Sequence, residues 1–160
     1  MEKLSITTTF TVYPSVGELP ADVAQLMEKA IAVRKASYAP YSKFHVGAAL
    51  LLDNGEIVLG SNQENAAYPS GLCAERVAVF YAGAVYPGAK IVKMAISAAA
   101  EEKVVADPIP PCGACRQSIA EYELKQDTPI EIFFMGEEGK VYCSESLKNL
   151  LPLTFGGEYL

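Results

Sequence analysis

The sequence predicts an α/β protein, a three-layer α-β-α sandwich around a mixed five-stranded sheet. Apolar runs typical of strands alternate with segments whose apolar residues recur every three or four positions, in the order β-β-α-β-α-β-β-α after an initial helix. Such an order indicates helices on both faces of the sheet. The run over 91–98 is almost continuously apolar, which is typical of a central strand covered on both sides. The 160 residues are enough for one hydrophobic core, so we expect a single domain over 1–160.

The N-terminal half is predicted to contain an arm, a helix and a hairpin. Residues 1–15 are rich in β-branched and aromatic types, which indicates an N-terminal arm or an edge strand. Apolar residues at three- and four-residue steps between Leu19 and Ser37 predict the first helix. Residues 44–52 and 56–61 follow as apolar strands. Asn54-Gly55 between them is a strong hairpin signal, so these two strands should be antiparallel.

The C-terminal half is predicted to alternate helices with strands. The helices cover 72–85 and 112–122, and the strands cover 91–98, 130–134 and 140–143. A final helix is predicted to begin near Ser144, where a serine cap precedes an acidic first turn.

Charge and the N-terminal residues limit the expected partners and compartment. The chain has 13 basic and 19 acidic residues and a net charge of -6, and its basic residues are scattered, which opposes binding to nucleic acid. No apolar run approaches the roughly 18 residues that cross a bilayer. Residues 1–4 lack the apolar core of a secretory signal. We therefore expect a cytoplasmic protein without nucleic-acid or membrane partners.

Two short cysteine motifs carry the predicted chemistry. Cys73-Ala74-Glu75 is followed by Pro111-Cys112-Gly113-Ala114-Cys115, which supplies three thiolates for a zinc ion and leaves one carboxylate free. Three protein ligands leave a fourth position for water or substrate, as in catalytic zinc sites. Both motifs begin predicted helices, whose N-termini favour thiolate over thiol. Two disulfides are the alternative, but three of the four cysteines have metal-type spacing, and Cys143 is expected to be a buried small residue.

The pattern C-x-E…P-C-x-x-C is the three-cysteine form of the signature of zinc-dependent nucleobase deaminases. The chain therefore resembles the cytidine deaminase family, and the resemblance continues through residues 41–50, 62–68, 150–152 and Phe155. It is similar to the small, nucleoside-specific members with an all-cysteine zinc site. The resemblance implies Zn²⁺ as cofactor and the hydrolytic deamination of cytidine and deoxycytidine to uridine and deoxyuridine plus ammonia, in pyrimidine salvage.

The resemblance also implies roles for individual residues. Cys73, Cys112 and Cys115 bind zinc, and Glu75 carries protons between water, the pyrimidine ring and the departing amine. Arg76 hydrogen-bonds the sulfurs and offsets their excess negative charge. The plainer interpretations remain a helix first-turn carboxylate for Glu75 and a solvated helix arginine for Arg76.

Further residues are implied to bind the nucleoside. Asn62 and Glu64 stand two apart at a strand end and would grip the ribose hydroxyls, although strand ends are commonly polar. Phe44 would pack against the pyrimidine, or would simply belong to the core. The remaining pocket residues implied by the family are Ala66, Tyr68 and Phe155. Phe155 would be inserted by a neighbouring subunit of a homotetramer with shared active sites; a self-packed tail is the alternative.

Three other classes compete with this interpretation. A blasticidin-S type deaminase shares the zinc signature, and a polynucleotide-editing deaminase would need a basic surface. A non-catalytic zinc-stabilised domain would need a fourth ligand, for which Cys143 is the only spare cysteine.

His45, the single histidine, stands where the family commonly has proline, and we expect it to have a local role on a strand rather than to bind metal.

Overall fold

The computed structural model describes residues 1–160 apart from the side chain of Glu158. Within the described chain there are six strands and three α-helices. In chain order they are β1 (Thr11–Tyr13), α1 (Ala21–Val33), β2 (Phe44–Leu52), β3 (Ile57–Ser61), α2 (Ala74–Val85), β4 (Ile91–Ala100), α3 (Gly113–Gln126), β5 (Glu131–Met135) and β6 (Val141–Ser144). No helix in this described part is both long enough and apolar enough to span a membrane.

The strands form one mixed sheet in the order β1-β6-β5-β4-β2-β3. β4 and β5 are parallel, and the other neighbouring strands are antiparallel. The predicted α-β-α sandwich is confirmed, but the predicted number of five strands is wrong. The sixth strand is β1, which pairs with β6 from Thr11 opposite Cys143 to Tyr13 opposite Val141. Phe10, just before it, meets Phe134 edge to face with ring centroids 6.3 Å apart, and this contact helps to hold so short a strand at the sheet edge.

Helices cover both faces of the sheet. α1 lies on one face, where its buried residues Leu26, Met27 and Ala30 pack with Ala95 and Phe133. α2 and α3 lie together on the other face. Their side of the core includes the apolar residues Leu50, Val79, Met94, Ile96, Ile119 and Ile132. Burial on both faces explains why β4 has an almost continuously apolar sequence.

Two glycines bring helices unusually close to the sheet. A Cβ at Gly60 in β3 would lie 2.5 Å from the carbonyl oxygen of Ala74 and 2.7 Å from the amide nitrogen of Ala78. A Cβ at Gly47 in β2 would clash with the carbonyl oxygen of Ala30 in α1. Glycine at position 60 therefore lets the first turn of α2 rest directly on the strand that leads to Asn62.

The predicted final helix is wrong. Only a single 3-10 turn, Leu147–Asn149, forms there. The buried carboxylate of Glu123 in α3 accepts hydrogen bonds from the Leu147 amide at 2.9 Å and the Ser146 hydroxyl at 2.6 Å. Pro152 follows within one turn and restricts Leu151 away from the helical region. A side chain distant in sequence thus ties down this segment before a helix can extend.

Candidate active site

The two cysteine motifs meet at the starts of α2 and α3. Cys73 and Cys112 are the N-cap residues of the two helices, both with extended backbone, and Cys115 lies in the first turn of α3. The Sγ atoms of Cys73 and Cys112 are 3.8 Å apart, and those of Cys112 and Cys115 are 3.5 Å apart. All three sulfurs lie within 4.8 Å of one another. The structure therefore brings the three predicted ligands to one point.

This sulfur cluster fits a zinc ion. Zinc–thiolate bonds of about 2.3 Å in a tetrahedron place neighbouring sulfurs about 3.8 Å apart, close to the separations found here. Three ligands leave the fourth corner open. Cys143, the remaining cysteine, lies on β6 and packs with the α1 side of the core, across the sheet from the cluster. It is buried as expected, and burial raises the pKa of its thiol to about 11.

Hydrogen bonding stabilises one thiolate in the cluster. Hydrogen bonds from Cys115, and then from Arg76 and Cys112, lower the pKa of Cys73 to about 5. The same interaction, together with burial, raises the pKa of Cys115. Arg76 brings Nη2 within 3.8 Å of the Cys73 sulfur. Its Nε atom is buried and has no hydrogen-bond partner in the described part of the chain. The guanidinium thus provides positive charge and a spare donor beside the sulfurs.

Glu75 lies in the first turn of α2 and is only 4 % exposed. Burial, together with the negative charge of Cys73, raises the pKa of its carboxyl group to about 7. A carboxyl group in this position can either hold or release a proton near neutral pH.

An open cavity of about 470 Å³ lies next to the cluster, within the size range of small-molecule sites. Five of the predicted site residues line it: Asn62, Glu64, Tyr68, Cys73 and Arg76. Sequence reasoning missed Tyr41, Ser42 and Gln63, which also line the cavity.

Asn62 and Glu64 are held at the cavity by the backbone around them. The Asn62 side chain donates to the carbonyl oxygen of Phe44 at 2.9 Å and accepts from the amide of Val46 at 2.7 Å. Each of its two polar groups can make one more hydrogen bond. The Oε2 atom of Glu64 accepts from the amides of Tyr41 and Ser42 at 2.9 and 3.3 Å. Hydrogen bonding from Ser42 contributes most to lowering the pKa of Glu64, so this carboxylate is ionised.

The other predicted residues do not belong to the lining of this cavity. Phe44 is half-buried at the start of β2, and Ala66 is exposed on the loop after β3. Glu75 is buried and does not line the cavity. Phe155 is 57 % exposed and stacks on Tyr159, with ring centroids 5.8 Å apart. The structure of one chain thus collects the ligand and polar residues but not the aromatic ones at positions 44 and 155.

A mixed sheet with three sulfurs and a buried carboxylate at two helix starts is the arrangement of a zinc-binding nucleobase deaminase. A family model described as the cytidine and deoxycytidylate deaminase zinc-binding region matches residues 20–128. The chain belongs to the cytidine deaminase family, and it is a zinc-dependent hydrolase of the deaminase class.

Individual relatives agree with this assignment over most of the chain. A cytidine deaminase from Halalkalibacterium halodurans is 46% identical over 138 residues, which cover 86% of this chain and 96% of that protein. The crystal structure of cytidine deaminase from Burkholderia pseudomallei has a TM-score of 0.71 at 38% identity and covers 86% of this chain and 100% of its own. That of the Mycobacterium tuberculosis enzyme has a TM-score of 0.66 at 31% identity and covers 86% and 99%.

We predict one zinc ion per chain, released when any cysteine of the cluster is replaced. Cys112→Ser should lose zinc because serine is a poor zinc ligand, whereas Cys143→Ser should keep it because that thiol lies across the sheet. Metal analysis of purified protein measures the content. Removal of zinc by a chelator should leave three thiols that react with a thiol reagent, since the fourth, Cys143, stays buried and protonated. Loss of zinc in Cys143→Ser with retention in Cys112→Ser would show that the ligand set is wrong.

Proposed function

We propose that the protein converts cytidine and deoxycytidine to uridine and deoxyuridine and releases ammonia. The observation that carries this proposal is the buried carboxyl group of Glu75 beside three clustered sulfurs, with Cys73 opening onto a cavity large enough for a nucleoside. Family membership supports the same reaction, since the relatives matched over most of the chain are named cytidine deaminases. The reaction replaces the bond from carbon 4 to the amine with a bond to oxygen.

Glu75 is proposed to move the protons of this reaction. Zinc held by Cys73, Cys112 and Cys115 would supply the Lewis acidity that makes water nucleophilic. Glu75 accepts a proton from that water and gives it to the pyrimidine ring nitrogen. The resulting hydroxide adds to carbon 4, and Glu75 then moves the remaining proton of that hydroxyl group to the amine, which leaves as ammonia as the carbonyl forms. The near-complete burial of Glu75 keeps bulk water from competing for these protons.

Arg76 is proposed to control the charge of the sulfur cluster. Three thiolates carry more negative charge than one zinc ion neutralises, and this excess weakens Lewis acidity. The contact of Arg76 with the Cys73 sulfur, and its buried unpartnered Nε, place hydrogen-bond donors where they draw electron density from the ligands.

Nucleoside binding is assigned to the polar residues at the end of β3 and to nearby aromatic groups. Asn62 and Glu64 have hydrogen-bonding capacity left toward the cavity and are proposed to bind the ribose hydroxyls. Phe44, Ala66 and Tyr68 are proposed to contact the base: Tyr68 lines the cavity, Ala66 follows the lining residue Asn65, and the carbonyl oxygen of Phe44 accepts from Asn62. Exact placement of the sugar positions carbon 4 and so contributes to catalysis from a distance.

The proposal also covers the cellular compartment of the protein and its oligomeric state. The protein would act in pyrimidine salvage in the cytoplasm, where reduced thiols remain available to a metal. It would be a homotetramer, as the resemblance to the small cytidine deaminases implies, and large apolar side chains that stay exposed in the single chain are available for its interfaces. They include Phe80, Tyr81 and Val85 of α2, as well as Leu153 and Phe155 near the C-terminus. We propose that Phe155 enters the active site of a neighbouring subunit.

A substrate comparison tests the proposed reaction. We expect cytidine and deoxycytidine to be deaminated, and free cytosine to be a poor substrate because it makes no contact with Asn62 and Glu64. CMP should also be poor, since Glu64 is ionised and Arg76 is already engaged with sulfur. Ultraviolet absorbance and released ammonia follow each reaction. Equal efficiency on cytosine and cytidine would contradict the ribose contacts, and turnover of blasticidin S without turnover of cytidine would favour the rival deaminase.

Glu75→Gln should fold and bind zinc but react more slowly, by roughly 10²- to 10⁴-fold in kcat, because an amide cannot relay protons. Zinc content and thermal melting of the variant provide the control. Steady-state kinetics with cytidine measure the loss. If more than a tenth of the wild-type rate remains, Glu75 is not the proton carrier.

Mixed assemblies test the donation of Phe155. Glu75→Gln and Phe155→Ala chains should each be impaired, but co-refolding them should create some sites that have both an intact carboxylate and an intact donated ring. We therefore expect activity above the sum of the two separate variants. Native mass measurement establishes the mixed assembly. A monomer, or a confirmed mixed assembly without any gain, would rule out action across the interface.

A further inference from the structure

His45 is hydrogen-bonded at both ring nitrogens. Nδ1 lies 2.6 Å from the Ser37 hydroxyl, and Nε2 lies 3.0 Å from Oε1 of Glu101. The three residues come from separate parts of the fold: Ser37 follows the end of α1, His45 is the second residue of β2, and Glu101 follows β4. The imidazole is only 27 % exposed, although Glu101 faces solvent. The side chain therefore joins three elements at one point.

The chemistry of the partners fixes the roles of the two nitrogens in the neutral ring. An ionised carboxylate can only accept, so Nε2 carries the proton that is donated to Glu101. Nδ1 then accepts a hydrogen bond from the Ser37 hydroxyl. One neutral tautomer satisfies both contacts, and the ring is held in a single orientation. We call the three residues Ser37, His45 and Glu101 the histidine bridge.

The histidine bridge encloses the segment 38–44, which forms one wall of the cavity. Tyr41 and Ser42 in this segment donate their amides to the Glu64 carboxylate at 2.9 and 3.3 Å. Tyr38 donates its amide to the carbonyl oxygen of Asn62 and accepts from the amide of Glu64, at 2.9 and 2.8 Å. The segment therefore contacts Glu64 through both its side chain and its backbone.

The bridge fixes both ends of the segment. Ser37 fixes the first end by its contact with His45. At the second end, the amide of Glu101 donates to the carbonyl oxygen of Lys43 at 3.1 Å. Lys43 has a φ of 55, a left-handed conformation that a residue with a side chain adopts only when its surroundings require it. The backbone of Glu101 thus supports this turn, while the carboxylate of the same residue contacts His45.

We propose that His45 is a positioning residue for nucleoside binding, which it supports through the segment 38–44 and the Glu64 carboxylate. The proposal rests on the proposed function in that Glu64 binds the ribose. The bridge acts on where that carboxylate points rather than on the proton transfers. Its loss affects substrate affinity, because the amides of Tyr41 and Ser42 no longer hold Glu64 in place.

Kinetics of bridge variants test this proposal on the zinc-loaded protein. His45→Phe keeps a flat ring but removes both hydrogen bonds, and Ser37→Ala removes one. Each should raise KM for cytidine about 3- to 10-fold, the range expected for one or two hydrogen bonds, and leave kcat within about twofold. Glu101→Gln should have a smaller effect, because its amide oxygen still accepts from Nε2. Glu102→Gln removes the same charge one residue away and should change neither constant.

A double-mutant cycle separates positioning from a general structural effect. In a Glu64→Ala background, His45→Phe should raise KM no further, since the residue through which it acts is gone. An equal rise of KM in both backgrounds would overturn the proposal. So would a fall in kcat with unchanged KM.

Amide hydrogen exchange gives a measurement that does not depend on turnover. Exchange at Tyr41 and Ser42 should become faster in His45→Phe and in Ser37→Ala, while exchange in β4 remains at the wild-type rate. Unchanged exchange at these two amides in folded variants would overturn the proposal. If the wild-type protein does not deaminate cytidine, the proposed function fails, and the exchange rates alone still decide whether His45 holds the segment.

Discussion

The site depends on gathering groups that tend to repel one another. Three sulfurs lie within 4.8 Å, and the carboxyl group of Glu75 is buried beside them. Placing so much potential negative charge away from water is unfavourable unless positive charge compensates for it. The N-termini of α2 and α3 supply part of that compensation, Arg76 supplies another part, and a bound cation would supply the rest. The close contact at Gly60 lets the first turn of α2 lie near enough to β3 for its N-terminus to provide this compensation.

The sheet organises binding as well as metal coordination. β3 ends at Ser61, so Asn62 and Glu64 emerge next to the first turn of α2 and within reach of the amides of Tyr41 and Ser42. Ligand sites in α/β proteins commonly lie beyond strand ends, where loops can vary without altering the core. Here the backbone amides of Tyr41 and Ser42 orient the carboxylate, so its direction depends on the course of the chain through this segment.

Local patterns predicted most of the core but not the interactions between distant segments. The apolar run of β2 and the helical spacing of α1 were sufficient to predict these two elements, because the burial of one face dictates both patterns. The predicted final helix failed because Glu123, far away in sequence, binds the amide of Leu147. The contribution of Tyr41 was missed because a backbone amide leaves no mark in residue type. The cysteine motifs, in contrast, predicted the sulfur cluster because their chemistry is specific to the residue.

The position of β4 in the chain has a consequence for how the protein matures. Cys73 precedes β4 and Cys112 follows it, and β4 pairs with β2 on one side and with β5 on the other. α2 and α3 become neighbours on one face only after this strand has been inserted, and such long-range pairing is slow compared with the formation of a helix. Neither motif can assemble the ligand set alone. A metal that requires all three sulfurs therefore distinguishes completely folded chains from misassembled ones, and its binding energy stabilises only the former.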